Sequence, residues 1–153
     1  MARDLLQRAI DIATESASTD GGPFGCVVVT SSGGVYEGRN DVVAAVDPTA
    51  HAEIQAIRKA CCAENTHDLS GAVLYASGEP CPMCFAAIHW AHIDGVYFAA
   101  THDQAAAAGF DDSFISDVAC GRVADPLPFT HMPNNRDNAP FEAWECNPDR
   151  VEY

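Results

Sequence analysis

Basic side chains are what this 153-residue chain has least of. It holds one lysine, Lys59, and seven arginines against 22 acidic residues, for a formal net charge of −14. Binding a duplex or a tRNA requires Lys and Arg to displace counterions from phosphates, so the composition argues against a polynucleotide partner. No apolar run approaches the ~18 residues of a membrane span. Asp4 and Gln7 stand where a signal peptide would be apolar. A cytoplasmic protein with no membrane partner is expected. Paired cysteines are equally hard to find: the count is seven, odd, with Cys61 and Cys62 adjacent. That pattern excludes a secreted disulfide framework and suits reduced thiols, some open to a metal. Disorder and a coiled coil are excluded by 48% hydrophobic and 20% charged residues. The acidity itself reads as a solvated surface, one suited to high salt.

What is present is enough for one domain, since a chain of this length hides roughly two-thirds of its unfolded surface. Leu6, Ile10, Ala13 and Ala17 recur at helical spacing, and Gly21-Gly22-Pro23 stops the helix. Cys26 to Thr30 and Val35 to Arg39 flank the turn Ser31-Ser32-Gly33-Gly34 and read as a hairpin. Asp47-Pro48-Thr49 starts a helix capped by Asp47 or Thr49, with Ile54, Ile57 and Cys61 on one face. Strands follow at Ala72 to Ala76 and Val96 to Ala100, with a helix from Pro82 to Trp90 between them. Ala105 to Ala108 is helix-prone and closed by Gly109. This alternation predicts an α/β layered domain with one mixed sheet over residues 1–120. From 121 to 153 the chain holds five of its nine prolines and one short helix near Phe141 to Glu145. An arm with so little core of its own is expected to pack on a partner subunit.

Chemistry concentrates in two segments, His51-Ala52-Glu53 and Pro80-Cys81-Pro82-Met83-Cys84, each at a predicted helix start. Cysteines three apart put both sulfurs on one face of the first turn. Pro82 suits the first helical position, which leaves Cys81 at the cap, where unpaired N–H groups favour thiolate. Zinc takes two such sulfurs with an imidazole, here His51, and keeps a fourth position for water, whose pKa it lowers to about 7. Glu53, outside the ligand set, can carry that water's proton to a substrate nitrogen. The spacing H-x-E followed by P-C-x-x-C is the signature of zinc nucleobase deaminases.

On these residues the chain resembles the cytidine deaminase superfamily, and within it the bacterial guanine deaminases. The likeness runs nearly end to end, through Gly22-Pro23-Phe24-Gly25, Asn40, Asp47 to Glu53, Glu79 to Cys84, Trp90, Ala108 to Phe114 and the terminal Glu152-Tyr153. It implies a three-layer α/β/α fold with a mixed five-stranded sheet and a C-terminal arm exchanged between the subunits of a homodimer. It also implies one Zn2+ per chain and hydrolysis of guanine, a free purine base, to xanthine and ammonia. By the same resemblance Asn40 and Asp112 bond the purine edge, Phe24 and Trp90 pack on its faces, and Tyr153 from the partner's tail closes the pocket. Glu79, Glu142 and Glu145 are candidate proton relays, the last two balanced against a plain solvent-facing role. The chain departs from the resemblance at Gly78, at His92 and in the tail between Cys120 and Phe141.

His89, His92 and His102 read as packed or surface histidines. Cys26, Cys61, Cys62, Cys120 and Cys146 read as small buried hydrophobes or inert thiols. Five rival functions stay open on sequence alone. Guanosine, cytosine-type bases and amino-triazines fit the same mechanism. A tRNA adenosine deaminase shares the metal motif but conflicts with the charge. A non-catalytic zinc domain would need a fourth protein ligand.

Overall fold

The computed structural model describes all 153 residues, Met1–Tyr153. The elements are α1 (Ala2–Ala17), β1 (Gly25–Val29), β2 (Val35–Arg39), α2 (Ala52–Glu64), β3 (Val73–Gly78), α3 (Pro82–Trp90), β4 (Gly95–Ala100), α4 (His102–Ala107), α5 (Ser113–Ala119) and α6 (Ala139–Cys146). The strands form one sheet in the order β2-β1-β3-β4, antiparallel across β2-β1-β3 and parallel between β3 and β4.

Period-2 alternation along the central strands sends successive side chains to opposite layers. Cys26 and Val28 of β1, with Leu74 and Ala76 of β3, pack on Ala52, Ala56, Ile57 and Ala60 of α2 and Ile88 of α3. Val27 and Tyr75 point the other way, onto Ala9 and Ile12 of α1. The result is the expected α/β/α layering. The α1 face differs from the expected one: Ala9, Ile12, Ala13 and Ser16 are buried, whereas Ala17 is exposed. Gly25 explains the rotation, because a Cβ there would collide with the Ala9 carbonyl and the Ala13 amide nitrogen. Gly38 does the same for α2 against β2, where a Cβ would strike the Ala52 carbonyl. These close approaches fix how near each helix lies to its strand.

Two further expectations are corrected. The sheet has four strands, not five. Beyond β4 the chain turns helical at Ser113–Ala119 and then meets Pro126, Pro128 and Pro133, which lack the N–H a ladder needs. The outer edge of β4 is therefore open, with Tyr97 and Phe98 exposed. The cap of α2 is His51, not Asp47 or Thr49. Asp47 Oδ1 instead accepts from the Thr49 backbone N–H (2.8 Å) and hydroxyl (2.7 Å), closing a local turn before the helix. No helix is long and apolar enough to cross a membrane.

Candidate active site

The N-termini of α2 and α3 meet beyond the C-terminal end of β3, where α/β sheets leave a crevice for ligands. His51 caps α2 and Cys81 caps α3, both in extended backbone with no side-chain capping bond. Their side chains are thus free to turn toward each other. Pro82 opens α3, and Cys84 follows one turn from Cys81, fully buried. The His51 Nδ1 atom lies 3.5 Å from Cys81 Sγ and 3.6 Å from Cys84 Sγ. All three ligand atoms lie within 4.8 Å of one another.

Geometry and charge both fit a zinc ion. A tetrahedral centre with ordinary Zn–S and Zn–N lengths has S···N edges of about 3.6 Å. The two sulfurs also disagree about protons. A hydrogen bond from the Cys84 thiol, supported by His51, pulls Cys81 down to about 4 against the cost of burial. Cys84 is driven upward by that same hydrogen bond, by burial and by the neighbouring Glu53. One thiolate beside another in a dry site needs a cation, and a divalent metal lets both ionise. His51 is raised chiefly by its contact with Cys81, which shows how much negative charge this corner gathers. Glu53, in the first turn of α2, is only 7% exposed, and burial pushes its carboxyl above the ordinary range. A carboxyl that holds its proton more tightly than usual beside a metal site can both take and give a proton.

The crevice opens into a cavity of about 520 Å³ lined by His51, Glu53 and Cys81 together with Phe24, Asn40, Glu79 and Asp112. Asn40 is buried at the end of β2, its backbone N–H donating to the Phe24 carbonyl (3.0 Å). Phe24 meets Phe110 edge to face at 5.1 Å and forms an apolar wall. Trp90, Glu142, Glu145 and Tyr153 are not brought to this cavity by their own chain. Tyr153 lies against His67, Trp90 and Trp144, with ring centroids 6.1 to 6.3 Å apart. Glu142 and Glu145 are exposed on α6.

Residues 1–100 match the family model for the cytidine and deoxycytidylate deaminase zinc-binding region. The chain belongs to this family. It is 43% identical over 151 residues to the guanine deaminase of Bacillus subtilis, covering 97% of each chain. The X-ray structure of guanine deaminase from that organism superposes with a TM-score of 0.94 over 99% of this chain and 98% of the other. A guanine deaminase structure from Nitrosomonas europaea matches at 34% identity and a TM-score of 0.66, over 71% and 63% of the two chains. The tRNA-specific adenosine deaminase of Agrobacterium fabrum is 35% identical over 79% of this chain and 80% of its own.

As a family member the protein carries a zinc-binding region, and His51, Cys81 and Cys84 are the residues placed to hold the ion. Asp20, Asp111 and His102 are wall residues that sequence reasoning does not single out. It groups His102 with His89 and His92, but His102 lines the cavity, whereas those two do not. His89 packs on Phe85, and His92 Nδ1 lies 3.4 Å from Asp68. The available signal was position: His102 stands two residues beyond β4, at the same end of the sheet as Glu79.

Proposed function

We propose that this protein hydrolyses guanine to xanthine and ammonia. The observation that carries the substrate class is the lining of the cavity. Five carboxylates reach it, from Asp20, Glu53, Glu79, Asp111 and Asp112, and no lysine or arginine does. Phosphate is repelled by such a wall, which disfavours nucleotides and tRNA and favours a free base. Guanine offers donors at N1–H and its amino group to acceptors such as Asp112, while the Asn40 amide can serve the remaining edge. An apolar face at Phe24 suits a flat ring. The likeness to the Bacillus subtilis enzyme over the full chain supports the same substrate.

When bound by His51, Cys81 and Cys84, zinc supplies a water acidic enough to attack an aromatic carbon at neutral pH. Glu53 takes the proton from the attacking water and passes it to the ring nitrogen beside the attacked carbon, then takes the proton of the newly added hydroxyl and gives it to the amine, which leaves as ammonia while the hydroxyl oxygen becomes the product carbonyl. Burial suits it to this cycle, because its carboxyl is held above the ordinary range. Glu79, at the rim, is placed to relay protons between the cavity and solvent.

The same reading gives the arm to a second copy. Residues 121–153 are exposed except for half-buried Ala139, and they carry Leu127, Phe129, Met132, Phe141 and Val151 at more than half exposure. So much apolar surface on one segment fits an interface. In an exchanged homodimer Trp90 and Tyr153 reach the cavity of the other subunit. Seven free cysteines suit a reducing cytoplasm. The test is ammonia release from guanine, guanosine, GMP, cytosine, an amino-triazine and a tRNA substrate. Guanine is expected to react fastest; guanosine well ahead of guanine would overturn the assignment.

A further inference from the structure

Glu79 and Asp112 reach the cavity from different elements, and one residue touches both. His102 begins α4, and its backbone N–H donates to Glu79 Oε2 at 3.1 Å. Its ring lies between the two carboxylates, with Nε2 3.7 Å from Glu79 Oε1 and Nδ1 3.3 Å from Asp112 Oδ1. The mount is rigid. The Glu79 N–H donates to the Ala100 carbonyl (2.8 Å), tying the end of β3 to the end of β4. Thr101 and Gln104 close a reciprocal capping box around the start of α4.

Asp112 has the opposite character. It stands at the N-cap of α5 yet makes no side-chain capping bond. The nearby Ser113 N–H is taken by Asp111 Oδ1 at 2.9 Å. An aspartate that forgoes its local backbone partner is being held for something else. The only side chain the structure pairs with its carboxylate is His102. Left alone, that carboxylate would rotate freely and bind a ligand only after losing its conformational freedom.

We propose that His102 is a positioning residue that aims Asp112 at the edge of the bound base and thereby sets affinity for it; this rests on the reading of Asp112 as a substrate acceptor. The hydrogen bond to Glu79 runs through the His102 backbone, so replacing the side chain keeps that bond and removes the ring's 3.3 Å contact to Asp112 together with its longer, 3.7 Å approach to Glu79. Affinity and turnover should therefore separate. His102→Ala raises KM about tenfold, the loss of one good polar contact, with kcat within about threefold of wild type. His102→Asn, whose amide N–H can stand where Nδ1 does, recovers most of the lost affinity, and His102→Gln recovers less.

The experiment measures kcat and KM for these variants on whichever amino base the wild-type protein converts fastest. Failure of the guanine assignment then shows in the wild type and leaves the His102 comparison intact. Zinc content and thermal unfolding are measured alongside. A raised KM in His102→Ala with unchanged zinc, rescued by Asn, supports the proposal. A KM within twofold of wild type, an equal loss in kcat, or an Asn variant no better than Ala overturns it.

Discussion

At the scale of single residues, the ligand set solves a problem that its own charges create. Cys81 and Cys84 cannot both shed protons while buried beside Glu53 without a cation between them. Removing one sulfur, as in Cys84→Ala, should therefore abolish zinc retention and lower the unfolding temperature, since metal binding is part of the folding free energy. Metal analysis after dialysis checks this, and full zinc occupancy in the variant would refute it. A second residue-scale feature lies in the loop between β2 and α2. Val46 has φ = 52°, a left-handed conformation that a β-branched side chain adopts only under strain. It is 89% exposed, so packing offers little in return. Val46→Asn should raise stability by about 1 kcal/mol in denaturant unfolding, because Asn tolerates this backbone. A loss of stability would show that the loop has some other hold on the valine.

At the scale of elements, α2 is fastened at its C-terminal end. Its C-cap, Asn65, adopts the left-handed conformation suited to Asn. Its last residue, Glu64, accepts from Thr30 (2.9 Å), Ser32 (2.8 Å) and Tyr36 (2.9 Å), clasping the β1–β2 hairpin. These bonds, with Ser32 the largest contributor, hold the Glu64 carboxyl below its ordinary value of 4.5. A depressed carboxyl stabilises the fold above its unfolded value, and the benefit is lost as pH falls through the lowered folded one. Glu64→Gln should thus melt earlier than wild type at pH 7, and the gap should narrow and close as pH falls through the lowered folded value, below 4.5. A pH-independent gap would place the effect elsewhere.

The elements were largely legible in the sequence, because period and punctuation coincide there. Val35–Arg39 and Pro82–Trp90 have the expected bounds, set by a glycine turn in one case and by Pro82 in the other. What escaped depended on tertiary contact. The buried face of α1 is chosen by the close approach at Gly25, and α5 has no strong periodicity to announce it. That His51, Cys81 and Cys84 come together with Glu53 beside them could be read because zinc chemistry fixes both residue type and spacing. His102 could not, since its role follows from two carboxylates that only folding brings to it.

At the scale of the whole molecule, an open sheet edge at β4 and an apolar arm leave the isolated chain with much exposed apolar surface. Phe129, 84% exposed, would be a liability in a monomer. The exchanged-arm dimer predicts complementation between defects. Chains carrying Glu53→Gln lack the proton shuttle but retain Tyr153; chains lacking Tyr153 retain the shuttle. Each should be weak alone, and refolding them together should recover activity through hybrid dimers. Fully active Tyr153-truncated chains, or no recovery in the mixture, would reject the exchange.

The central claim is that an imidazole and two sulfurs hold the metal while Glu53, outside that set, moves the proton. Glu53→Gln isolates the two roles in one protein. Zinc should remain at one ion per chain with the fold intact, while xanthine formation from guanine falls by at least about a hundredfold. A variant that keeps its zinc and turns guanine over at close to the wild-type rate would contradict the account.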